Sequence, residues 1–243
     1  MQDKQKQNIC IIMITLSEYI TDNISESILS STRTGKAGID EEFKKYGLDP
    51  AKATLNADGS IDYDGNVVLQ FNGLTKLPFK FRTVTGSFYC YDNELTTLDG
   101  APKIVNGDFN CLKNVLTSLK GGPQDVDGNF YCANNNLTTL EGAPNKVGGR
   151  FNCSRNKLTS LKHCPKVIND DFNCSNNNLT SLKYGPEQVG HDYVCSYNKL
   201  TSLKGLPKKL NNYLYCHENA CDFTIDDVLA VCKINRNKIR VMF

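Results

Sequence analysis

Hydrophobic positions follow one rule from Val67 to Asn219 and other rules on either side. Within that stretch cysteine recurs every 21 residues, at Cys90, Cys111, Cys132, Cys153, Cys174, Cys195 and Cys216, with no insertion between copies. A large apolar residue stands two before each cysteine: Phe88, Phe109, Phe130, Phe151, Phe172, Tyr193 and Leu214. A spacing of two puts both side chains on one face of a strand. Leucines follow at five and eight after, as in Leu158 and Leu161; proline comes twelve after, as in Pro165, and a β-branched or leucine residue fifteen after, as in Ile168. A degenerate first copy holds Val67, Leu69, Asn72, Leu74 and Leu77 at matching offsets, which makes eight units. Self-similarity at so short a period predicts a stack of near-identical coils.

Each unit reads as a short strand, a turn, an extended return segment and a second turn. Twenty-one residues leave little room for a helix on the return side, and the proline suits an extended segment there. Like residues then stack about 4.8 Å apart in a parallel sheet, and eight coils span roughly 40 Å. The expected fold class is an α/β repeat solenoid, mostly β. It is a right-handed coil with a parallel sheet on its concave face and short helices in its caps. Phe, Cys, Leu and Val point inwards as continuous ladders.

Asparagine stands three after every cysteine, at Asn93, Asn114, Asn135, Asn156, Asn177, Asn198 and Asn219. There the chain leaves the strand and buried backbone groups lose their sheet partners. A short amide can satisfy them, coil after coil.

The flanks divide the chain further. Residues 1–36 predict an amphipathic helix, with Leu16, Tyr19, Ile20, Ile24 and Ile28 on one face, followed by a flexible linker. The clean pattern begins only after Met13, which is therefore an alternative start to Met1. Residues 37–66 predict an N-terminal cap: a helix from Asp40 to Tyr46 stopped by Gly47, with Leu48 folding back, then strand-like Ser60–Tyr63 and Asn66–Phe71. The solenoid spans 67–220 and a C-terminal cap 221–243. Thr224-Ile-Asp-Asp227 in that cap predicts a capping box, and Ile225, Val228, Leu229 and Cys232 follow at helical spacing.

Composition narrows the function classes. The net charge of +2 over 243 residues is too balanced for a dedicated binder of nucleic acid or acidic membrane. The apolar run Ile9–Leu16 is far short of a membrane span, and its polar flanks do not suit a signal peptide. Eleven cysteines is an odd number, and seven share one apolar slot. That predicts buried reduced thiols in a cytosolic setting rather than a disulfide framework, although stacking would bring neighbouring thiols close enough to oxidise.

The spacing resembles the leucine-rich repeat L-x-x-L-x-L-x-x-N-x-L, with Phe and Cys in two leucine slots. The string Asn-x-Leu-Thr-Ser/Thr-Leu is similar to the short bacterial-type repeats of secreted effectors. Together with Leu-Lys/Glu-Gly-Ala/Gly-Pro and Phe-x-Cys-x-x-Asn, it looks closer still to repeat proteins encoded by tailed bacteriophages. The match covers about residues 55–220. The resemblance implies a curved solenoid and an interaction role, in the host cytoplasm or alternatively in the virion.

No G-x-x-x-x-G-K-S/T, H-E-x-x-H or G-x-S-x-G is present, and His163, His191 and His217 sit at different repeat offsets. A non-enzymatic protein without a cofactor is expected. His163-Cys164 reads as ordinary turn surface. Cys216, His217, Cys221 and Cys232 have a liberal zinc spacing, but Cys216 already belongs to the inward ladder. That leaves a metal protein or enzyme as a remote alternative.

The residues one before, one after and three before each cysteine are expected to face outwards. They include Tyr89, Tyr91, Asp108, Asn110, Tyr131, Arg150, Asn152, Asp171, Asn173, Asp192, Tyr213 and Tyr215. Tyrosine with small polar residues is the composition of an adaptable binding surface. The expected function is protein–protein interaction by a monomer or weak oligomer, with a partner the sequence does not name. A virion-associated structural accessory is the alternative.

Overall fold

The structure, a computed structural model, describes residues 38–241. The chain falls into two compact units, residues 1–51 and 52–243, each taken by itself. The amphipathic helix expected around Leu16–Ile28, the linker and Met13 lie outside the described residues.

In the first unit a helix covers residues 38–45. It ends as its residues predict. Gly47 takes a left-handed φ of +67°. Its N–H donates to the Lys44 carbonyl at 3.0 Å, and the Leu48 N–H donates to the Phe43 carbonyl at 2.9 Å. These are the two bonds of a Schellman stop, and Phe43 and Leu48 are both buried.

The second unit is a β-solenoid of parallel strands. Its front sheet has nine strands, most starting two residues before a cysteine slot. Phe88–Tyr89, Phe109–Asn110, Phe130–Tyr131, Phe151–Asn152 and Phe172–Asn173 pair in strict register, Phe on Phe. Their rings stack at centroid distances of 5.2 to 6.1 Å, and every ladder cysteine is buried. The ninth rung comes from the C-terminal segment: Ile239–Arg240 pairs with Leu214–Tyr215.

The return segments do more than run extended. They form a second, eight-stranded back sheet from Ala53–Leu55 to Gln188–Val189, antiparallel only at its first pair. Val105, Val126, Val147, Ile168 and Val189 point inwards from it. With front Phe and Cys, back Val and the leucines of the connecting arcs all buried, the core is a column between two narrow sheets.

Strands of two residues cannot stand alone. The residue two after each cysteine adds to their cost: Phe71, Asp92, Lys113, Asn134, Arg155, Asn176, Tyr197 and Glu218 all have positive φ, between 50° and 57°. An L-residue in that region costs roughly 1–2 kcal/mol. The asparagine that follows offsets it. Asn156 Nδ2 donates to the carbonyls of Cys132, Cys153 and Ser154, each at 3.1 Å, while its Oδ1 accepts the Leu137 N–H at 3.0 Å. One side chain thereby closes its own turn and ties it to the preceding coil. Asn93, Asn114, Asn135, Asn177 and Asn198 repeat the pattern inside the stack, and half-buried Asn219 repeats it at the end.

The C-terminal helix Ile225–Val231 starts at a capping box formed by Thr224 and Asp227, and it buries Val228. Among the described residues, no helix is long and apolar enough to cross a membrane.

Candidate functional site

The outer face of the front sheet is built from three rows, and the structure separates them. The row directly before the cysteines is half-buried and faces outwards, as its alternation with Phe requires. The row directly after is a correction. Tyr91 and Leu112 are half-buried, but Ala133, Ser154, Ser175, Ser196 and His217 are buried. The strand has already ended at the cysteine, so two-residue alternation no longer applies. The left-handed residue that follows turns the row inward. Ser196 Oγ and His217 Nδ1 lie 3.2 Å apart within this buried row.

The row three before the cysteines holds a second polar ladder that sequence reasoning missed. Asn66 Oδ1 accepts the Ser87 N–H at 2.8 Å, Ser87 Oγ the Asp108 N–H at 2.9 Å, Asp108 Oδ1 the Asn129 N–H at 2.8 Å, and Asn129 Oδ1 the Arg150 N–H at 2.8 Å. Asp171 and Asp192 continue it onto Asp192 and Tyr213. The signal was present as an oxygen-bearing residue at nearly every copy of that offset. A glycine precedes each of the first four acceptors' partners. A Cβ on Gly107 would meet Ser87 Oγ at 2.4 Å, so glycine makes room for the rung.

Half of the expected partner-binding residues therefore carry the fold. Asp108, Asp171 and Asp192 are rungs of this ladder. Asn110, Asn152 and Asn173 accept the N–H two residues on, from Leu112, Ser154 and Ser175. The remaining six fall into three groups. Tyr89 and Tyr91 meet edge to face at 6.4 Å, and Phe71 meets Tyr91 at 5.3 Å. Tyr213 and Tyr215 pair at 6.0 Å, with the Arg240 guanidinium 4.8 Å over Tyr213. Tyr131 and Arg150 lie in an ionic cluster between them.

In that cluster Arg150 Nε reaches Asp171 at 3.0 Å and Asp170 at 3.3 Å, and His191 Nδ1 reaches Asp170 at 3.2 Å. Partial burial pushes the Tyr131 hydroxyl up; nearby Asp108 adds to this and Arg150 opposes it. Arg150 is also the one inner copy at its offset without an accepting oxygen, so it breaks the ladder and turns to its acidic neighbours. Among the described residues, Asp170, Asp171 and His191 form the one group of three ligand-type side chains within 4.8 Å of one another. Arg150 already meets both carboxylates. Cys216, His217, Cys221 and Cys232 do not gather.

Phe71 is the residue most out of place. It is 68% exposed, in a left-handed conformation, at an offset otherwise held by Asp, Lys, Asn, Arg, Tyr and Glu. With half-exposed Val68, Tyr89 and Tyr91 it makes an aromatic end to the face. Cys164, expected on the surface, is buried, while its neighbour His163 is exposed at φ +71°, where the first three complete copies have glycine.

Compared with known proteins, the chain matches no family model and no curated protein.

Proposed function

We propose that this protein is a non-enzymatic binding module that holds a protein partner on the outer face of its front sheet. The observation that carries this is the aromatic end formed by Phe71, Tyr89 and Tyr91 beside Val68, with half-buried Tyr131 and exposed Arg150 further along the same face. Aromatic residues and arginine on a rigid scaffold are the side chains that dominate protein–protein binding energy. The scaffold beneath is held by backbone pairing and two polar ladders, so little is lost in ordering it on binding. The resemblance to leucine-rich repeats, and to repeat proteins of tailed bacteriophages, supports an interaction role in the infected host's cytoplasm.

The test is affinity capture from infected host cells with wild type and with the combined Phe71→Ser, Tyr89→Ser and Tyr91→Ser variant. Wild type retains a protein that the variant loses, while both melt at similar temperatures. Equal capture by the two would contradict the proposal. Recovery of the protein in purified particles would favour the structural, virion-associated reading instead.

A further inference from the structure

The back sheet ends at Gln188–Val189, and the front sheet runs two strands further, through Leu214–Tyr215 and Ile239–Arg240. In most coils two N–H groups donate to the coil before; the Lys166 and Asn169 pair does not, although Val147 still pairs with Ile168. Gln124 donates to Lys103 at 2.9 Å and Asp127 to Val105 at 3.0 Å; Glu187 donates to Lys166 at 2.8 Å and Gly190 to Ile168 at 3.0 Å. The next pair in the series is Lys208 and Asn211, onto the carbonyls of Glu187 and Val189. Among the described residues that pair does not form, and Gln188–Val189 is the last strand of the sheet.

The next segment, residues 208–211, bonds forward to the coil after it as earlier return segments do. The Leu210 N–H donates to the Lys233 carbonyl at 3.0 Å, and the Lys233 N–H donates to the Lys208 carbonyl at 2.8 Å. Lys238 Nζ donates to the Asn211 carbonyl at 2.7 Å. A cleft of about 840 Å³ runs along the back of three successive coils, lined by Lys166, Ile168, Gln188, Val189, Lys208 and Lys209 among others.

Two chemical features specify an occupant. The carbonyls of Glu187 and Val189 are two residues apart on a strand edge, the spacing of alternate N–H groups on an extended chain. The walls are basic: Glu187 is the one acid in the lining and stands 3.6 Å from Lys166, which leaves Lys208 and Lys209 without an acidic partner among the described residues. An unprotected strand edge is a template for strand addition.

We propose that this cleft takes an extended acidic peptide of a partner protein as an added strand of the back sheet. The site is separate from the front face and does not depend on it.

The test is fluorescence anisotropy of the full chain with a labelled hexapeptide alternating glutamate and valine. Saturable binding is expected. It weakens at least about tenfold, or 1.4 kcal/mol, in the Lys208→Glu/Lys209→Glu variant. The Tyr89→Ser/Tyr91→Ser variant binds as wild type does. A hexapeptide N-methylated at alternate backbone nitrogens, which leaves the protein untouched, loses binding to the same degree. Equal binding of the N-methylated peptide or of a lysine–valine hexapeptide would overturn the proposal, as would no saturable binding. Sedimentation showing a dimer that Lys208→Glu/Lys209→Glu dissolves would also overturn it, with a second copy as the occupant.

Discussion

At the scale of single residues, the amide ladder and one tyrosine make opposite predictions. Asn156→Ala leaves the buried Leu137 N–H without its acceptor and takes one of two donors from each of the Cys132, Cys153 and Ser154 carbonyls. It should destabilise the protein by about 1–3 kcal/mol, read from a thermal or urea melt. A melt equal to wild type would contradict this role. Tyr193 is fully buried in the slot that five other copies give to Phe, and its Oη has no hydrogen-bond partner. Gly185 leaves it room: a Cβ there would lie 3.3 Å from that oxygen. Tyr193→Phe should therefore stabilise the chain by about 1 kcal/mol, since a buried hydroxyl without a partner costs about that much or more. A lower melting point would show that the hydroxyl is satisfied. The inward identity of Phe, Cys and Asn was legible because each recurs at one offset. Phe71 was not, because it is a single departure in the degenerate first unit, where departures are expected.

At the scale of the coil, the strands are too short to carry information of their own. The front strand was legible from the Phe-x-Cys spacing. The back strand was not, because each return segment contributes one inward residue, such as Val126 or Ile168, and one residue does not make an alternation. The same brevity misplaced the row after the cysteines. What the coils share is a column of thiols with raised pKa. Burial pushes Cys153 and Cys216 up to about 12, and Cys90, Cys132, Cys174 and Cys195 well above the ordinary 9.0, with neighbouring thiols adding to several. Between the ordinary value and the raised one, the unfolded chain has lost protons that the folded chain keeps. Stability is therefore whole below about pH 9 and falls as pH rises above it, by up to about 1.4 kcal/mol per pH unit for each buried thiol. Urea midpoints measured from pH 7 to pH 11 should drop steeply beyond pH 9. A flat profile would mean that the thiols titrate alike in both states.

At the scale of the whole molecule, the unbroken 21-residue period made the solenoid legible from residue identities alone. The ends departed from the pattern for a physical reason: a terminal coil has no neighbour to copy. Ile239–Arg240 supplies a ninth front rung, and Lys233 bridges Lys209 beyond the last strand of the back sheet. The architecture makes a sharp division among the thiols. Cys90, Cys111, Cys132, Cys153, Cys174, Cys195 and Cys216 are buried in the column, whereas Cys221 is exposed. Burial both hides a thiol and withholds the thiolate that reacts. The most direct measurement is alkylation of the native protein near pH 8, mapped by peptide mass spectrometry. The account predicts rapid modification at Cys221 and none at the seven ladder cysteines until denaturant unfolds the chain. Modification of ladder cysteines in the folded protein at a rate near that of Cys221 would contradict it.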